Sequence, residues 1–210
     1  MFYLNSSQMG ETLRFGDIIQ GFPVCFSVID IPSPQSAFNI TVSAPTYAVV
    51  LSPCCSISDK VLAIAPLQQL ENKLFSNPYL AEEPTRINSM IPPEKSVPPV
   101  HWEKMLPEKK ANMAAKGKAY IFVDKFVYAP SDLFPEYTIN RKDGNIKTRY
   151  YVVDFRASNK ISCDSIKDPK YLPGACKVLQ LSVEIRELMR RKIASFYRRM
   201  PEEEAAILAS

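Results

Sequence analysis

Glycine is scarce, with six residues in 210. Neither GxGxxG nor GxxxxGK(S/T) occurs, which excludes a phosphate-cradling loop built from backbone amides. There is a single histidine, His101. That excludes histidine-rich metal sites and makes any Ser-His-Asp triad depend on one residue. No uncharged apolar run reaches the ~18 residues of a membrane span. The opening segment carries Glu11, Arg14 and Asp17 and lacks the charged-then-apolar start of a secretory leader. The five cysteines include no CxxC pair. An odd cysteine count in a chain without a leader points to free thiols in a reducing cytoplasm. The net charge of +4 is too mild to imply nucleic acid by itself.

Proline is abundant, with 18 residues, and 46% of the chain is hydrophobic. This is enough apolar material for the core of one domain, read here as residues 1–210. Proline neither donates to a sheet ladder nor continues a helix. The expected architecture is therefore mainly β (α+β), with long, stiff connections.

Residues 13–31 read as a strand, a proline turn and a second strand, with turn chemistry at Gly16-Asp17. Ile40–Ser43 reads as a short strand. Tyr47–Leu51 and Lys60–Ala65 are apolar runs of buried-strand type. They flank a polar knot, Ser52–Asp59, with Pro53, adjacent Cys54 and Cys55, and three serines. Residues 68–80 suit a helix with Leu70, Leu74 and Phe75 on one face. Six prolines then fall between Ala81 and Lys110. We expect residues 81–118 to form an insertion over the surface, either extended for recognition or packed on the core. Tyr120–Ala129 returns to strand composition, and 136–155 suits a hairpin turning at Asp143-Gly144. Residues 178–200 suit an amphipathic helix, because Leu181, Ile185, Leu188, Met189, Ile193 and Phe196 follow a 3.6-residue period.

The order Gly16-Asp17-Ile18, Val50-Leu51-Ser52 and Ala65-Pro66-Leu67 resembles the SH3-like barrel of the MazF/PemK toxin superfamily. It is most similar to an uncharacterised group of prokaryotic proteins with a Val-Leu-Ser-x-x-Cys-Asp knot in that place. The resemblance spans residues 13–67. It implies barrel strands in 13–67 and 119–155, a prokaryotic setting, and a place in a defence or regulatory operon. In the toxins a basic residue and a Ser/Thr hydroxyl near this turn cleave RNA. Ser52 matches the serine. The arginine that precedes the Val-Leu-Ser strand is missing, since Ala44-Pro45-Thr46-Tyr47 stands there. Cys54-Cys55 replaces Cys-Asp. Without a cation to stabilise charge on the phosphate, a serine alone is a poor catalyst.

Four candidate sites follow. A hydrolytic site would use Ser52 with a cation from Arg14, or a Cys54/His101 or Cys55/His101 dyad with the thiol activated by a neighbouring base. Cys54, Cys55, Cys163 and Cys176 supply enough ligands for zinc, although their spacing lacks the paired knuckle that structural zinc prefers. A nucleic-acid face would use Arg141, Lys142, Lys147 and Arg149 of the hairpin, beside Tyr150 and Tyr151, with Arg190 and Arg191 of the last helix. A protein-partner surface would use Trp102, the sole tryptophan, with Phe196 and Tyr197. The leading expectation is a cytoplasmic, non-catalytic module without cofactor. It would bind a protein partner or a second copy of itself and no membrane. A MazF-like endoribonuclease or nucleic-acid binder is the alternative.

Overall fold

The computed structural model describes residues 1–10, 12–21, 24–28, 39–43, 45–52, 61–141, 144–162 and 177–198. Its strands are β1 (Ile18–Gln20), β2 (Val24–Val28), β3 (Asn39–Ser43), β4 (Tyr47–Val50), β5 (Val61–Gln69), β6 (Lys125–Tyr128), β7 (Tyr137–Arg141), β8 (Gly144–Thr148), β9 (Tyr151–Asp154), β10 (Asn159–Ser162) and β11 (Lys177–Leu179). The α-helices are α1 (Pro78–Glu82), α2 (Pro93–Ser96), α3 (Pro99–Glu103), α4 (Pro107–Lys116) and α5 (Val183–Tyr197). No helix among the described residues is long and apolar enough to cross a membrane.

Antiparallel ladders run in the order β11-β1-β4-β5-β9-β6, with β10 also on β5. The long strand β5 organises this sheet. One edge pairs with β4, and the other pairs first with β10 through Val61–Ile64 and then with β9 through Leu67–Gln69. Pro66, which has no N–H to donate, stands in the gap where that edge changes partner. The short 3-10 turn Phe155–Ala157 links β9 to β10. β5 is thus shared by two half-sheets. Two separate hairpins, β2-β3 and β7-β8, complete the β content.

The alternation of strand side chains divides the core in two. One cluster joins Ile18, Val49 and Ala65 of the first half-sheet to Leu67, Phe126, Tyr128, Tyr151 and Val153 of the second. Helix α5 covers it with Met189, flanked by Ile185, Leu188, Ile193 and Phe196. On the reverse face of β6 and β9, Val127 and Val152 meet Leu70, Leu74, Phe75, Leu80, Ile87, Ile91 and Ile139. Both faces of β6 and β9 are covered, so Phe126–Tyr128 and Tyr151–Val153 read as continuous apolar runs rather than alternating ones, with the buried Lys125–Asp154 ion pair at their ends.

Several expectations need correction. The fold is α+β and antiparallel, but no ladder joins β6 to β11 among the described residues, so the pairings seen leave the sheet open where a barrel would close. The helix expected over 68–80 is divided. Strand β5 runs on to Gln69, a 3-10 turn covers Asn72–Ser76, and α1 begins at Pro78. Tyr120–Asp124 is not strand, and only Lys125–Tyr128 pairs with β9. The hairpin of 136–155 ends at Thr148, and β9 belongs to the main sheet. The last helix starts at Val183, capped by the Ser182 side chain on the Ile185 amide, because Lys177–Leu179 pairs with β1.

The proline-rich insertion is helical rather than extended. Pro78, Pro84, Pro93, Pro99 and Pro107 each sit in the first turn of a helix or 3-10 turn. There the missing N–H costs nothing and the ring pre-sets φ. In Pro92-Pro93 and Pro98-Pro99, the first proline is held extended by the second (ψ 151° and 142°), which then opens the helix.

Candidate functional site

The opening turn carries the residues behind the family resemblance, and its geometry is structural. Gly16 has φ +83°, and a Cβ there would lie 2.6 Å from Leu181 Cδ1. Only glycine tolerates both conditions. Its amide donates to the Val50 carbonyl at 2.7 Å, and Val50 returns a bond to Asp17 O at 2.9 Å. The Asp17 carboxylate is fully buried. It accepts from the Arg14 amide at 2.9 Å and lies 3.1 Å from Lys177 Nζ. Burial raises its pKa, while Lys177, the Arg14 amide and Arg186 pull the other way.

Ser52 follows β4 and is buried. Its Oγ accepts the Ala63 amide at 2.7 Å, while Leu51 N donates to Ala63 O at 2.8 Å. The hydroxyl therefore serves as a local cap on the β4–β5 pair. Arg14 and His101 are both exposed, the latter on α3. No hydrogen bond joins Ser52, Arg14 and His101 among the described residues. Cys54, Cys55, Cys163, Cys176 and Lys142 lie outside those residues. Among the residues described, no group of His, Cys, Asp or Glu is arranged to hold a metal ion.

Three of the six expected nucleic-acid cations pair with carboxylates. Arg149 bonds Asp132 at 2.9 Å, and Lys147 lies 3.7 Å from Glu136. Arg190 pairs with Glu187 and stands 5.7 Å from the Phe15 ring centroid. Arg141 is half-buried and engaged, and Arg191 is exposed. Phe196 faces inward, its ring 6.0 Å from that of Phe155, whereas Tyr197 meets Phe196 edge to face at 5.0 Å and stays 68% exposed.

Trp102 borders a groove of about 580 Å³. Pro78, Tyr79 and Glu82 come from α1, Glu94 and Lys95 from α2, and Pro99, Trp102 and Glu103 from α3, with Asn77 and Val97 completing it. Buried Asn77 ties these pieces together. Its Oδ1 caps α1 through the Tyr79 amide at 3.1 Å, and its Nδ2 donates to Lys95 O at 2.9 Å. Reciprocal backbone bonds between Ile91 and Ala119, 2.8 and 3.1 Å, close the neck of the excursion. Beyond that neck, α2, α3 and α4 contain no buried residue. Val100 and Leu106 are 58% and 72% exposed.

Two features escaped the sequence reading. One is the set of carboxylates and Tyr79 that joins Trp102, because the helices that bring them together lie in a segment dominated by prolines. The other is Lys192, which is fully buried. Its Nζ donates to Ile87 O and sits 5.3 Å from the Tyr120 ring centroid. Burial lowers its pKa to about 7, and Asp124 offsets this only partly. The signal was present, since Lys192 follows Ile185 by seven residues and Met189 by three, on the buried stripe of α5.

No family model, curated protein or solved structure matches the chain.

Proposed function

We propose that this chain is a non-catalytic docking module for a protein partner, with the Trp102 groove as its contact surface. One observation carries this reading. Three consecutive helices stand beyond the Ile91–Ala119 neck with no buried residue among them, and a tryptophan lines the groove that the first two of them form with α1. Helices this short are marginal unless an apolar face is covered, and a partner would supply that cover. Tryptophan in a concave site is a favoured anchor, because it brings a large rigid surface at low entropic cost.

The scaffold we propose is a variant of the SH3-like barrel of the MazF/PemK superfamily. A strand shared by two half-sheets, with one aromatic-rich cluster drawing on both of them, supports that reading. Ser52 then serves the scaffold, through its bond to Ala63.

Selection of a random peptide library on the full chain tests the docking proposal, with Trp102→Ala for counter-selection. Since no residue of α3 is fully buried, the variant should stay close to the parent's melting temperature. Peptides that bind the parent and not the variant are expected. Failure to recover binders, or binders indifferent to Trp102, would overturn it.

A further inference from the structure

Resting on the docking reading, we infer that the groove takes an extended peptide segment rich in arginine or lysine. Its lining carries three carboxylates, Glu82, Glu94 and Glu103, against one cation, Lys95. Glu82 is engaged by Arg86. Glu94 and Glu103 are exposed and have no ion pair among the described residues, so with Glu82 neutralised by Arg86 they stand as two carboxylates against the single cation Lys95 in the lining. Of the α4 lysines, Lys110 reaches the groove's edge, where its Nζ donates to Glu103 O at 3.2 Å and is the cation an incoming basic side chain would displace.

The aromatic walls favour the same class of ligand. Tyr79 already lies under Arg86, 4.4 Å from guanidinium to centroid, and under Lys95 at 5.8 Å. Trp102 lies under Lys110, also at 5.8 Å. The two lysines sit near the outer limit of a cation–π contact, and tryptophan is the strongest partner for one. An incoming guanidinium stacked on Trp102 would lie closer than Lys110 and pair with Glu103 or Glu94. Pro78, Val97 and Pro99 offer apolar surface to the methylenes of such side chains. An acidic or phosphorylated segment would meet the carboxylates unfavourably.

The test uses an arginine–glycine repeat peptide and its glutamate–glycine counterpart, each titrated into the full chain. Emission from Trp102, the only tryptophan, reports occupancy directly, and calorimetry gives the affinity. The arginine peptide is expected to bind and to weaken as salt rises. Glu94→Gln and Glu103→Gln should each lower its affinity about fivefold. Lys110→Met, which removes the resident cation from Trp102, should raise it. A preference for the glutamate peptide, a loss of affinity in Lys110→Met, or indifference to both glutamates would overturn the inference. Library selection yielding Trp102-dependent binders without basic residues would also overturn it while leaving the docking reading intact; no binders at all would remove both. Concentration-dependent dimerisation abolished by the same glutamate substitutions would assign the groove to a second copy instead, and overturn a separate partner.

Discussion

Replacing Lys192 by methionine should change how stability depends on pH, in a direction fixed by the burial of this amine. In the folded chain Nζ is shielded from water and bonded to the Ile87 carbonyl, with Tyr120 against it. Asp124 is the carboxylate that favours its charge, and Asp124 is itself held by Arg156 at 3.0 Å. The folded pKa is about 7, against 10.5 for an unburied lysine. Between those values the unfolded chain holds a proton that the folded chain has released. Stability therefore rises with pH through this window, by about 1.4 kcal/mol per unit, and the burden is fully present below the folded pKa. From about pH 7.5 to 9.5 the parent should gain roughly 2–3 kcal/mol relative to Lys192→Met, which has nothing to titrate there. The variant leaves the Ile87 carbonyl unpaired, about 1–3 kcal/mol, but escapes the cost of burying an amine. Urea unfolding of both proteins across that range measures the difference. Parallel stability profiles would refute the claim that Lys192 is neutralised by burial.

Two further substitutions test the scaffold. Gly16→Ala should lower stability by about 2–3 kcal/mol in thermal or urea unfolding, because it combines a positive φ with a Cβ driven against Leu181. Asn88→Ala should cost about 2–4 kcal/mol by the same measurements. The side-chain amide of Asn88, nearly inaccessible, both donates to and accepts from the Val127 backbone at 2.7 Å, standing in for a neighbouring strand beside β6.

The strands were legible where burial is two-sided or the pattern strong. Tyr47–Val50 and Val61–Ala65 are apolar runs too dense for an exposed element, and they pair with each other. Helix α5 was legible because its apolar stripe follows the helical period over four turns. Of the two expectations for the insertion, the extended one failed for a physical reason, while Ile87 and Ile91 do pack on the core. Proline forbids the interior of a helix but favours its first turn, and composition does not reveal which position each proline takes. The division of residues 68–80 was equally hidden, since Leu67–Gln69 is strand only because β9 lies beside it. For the candidate site, Trp102 stood out by its rarity, whereas Glu82, Glu94 and Glu103 resembled ordinary surface charge until the helices placed them around one groove.

By itself the sequence determined what the chain is made to bury, what it cannot build, and where a glycine-aspartate turn must start a strand. Those properties are local, set by side-chain chemistry and backbone restriction over a few residues. Only the tertiary structure decided that β5 would serve two half-sheets, that Lys192 would be cut off from water, and that carboxylates from three helices would converge near one tryptophan. Each depends on contacts between segments far apart in the chain, and no short-range periodicity encodes which of the many compatible pairings encloses the most apolar surface.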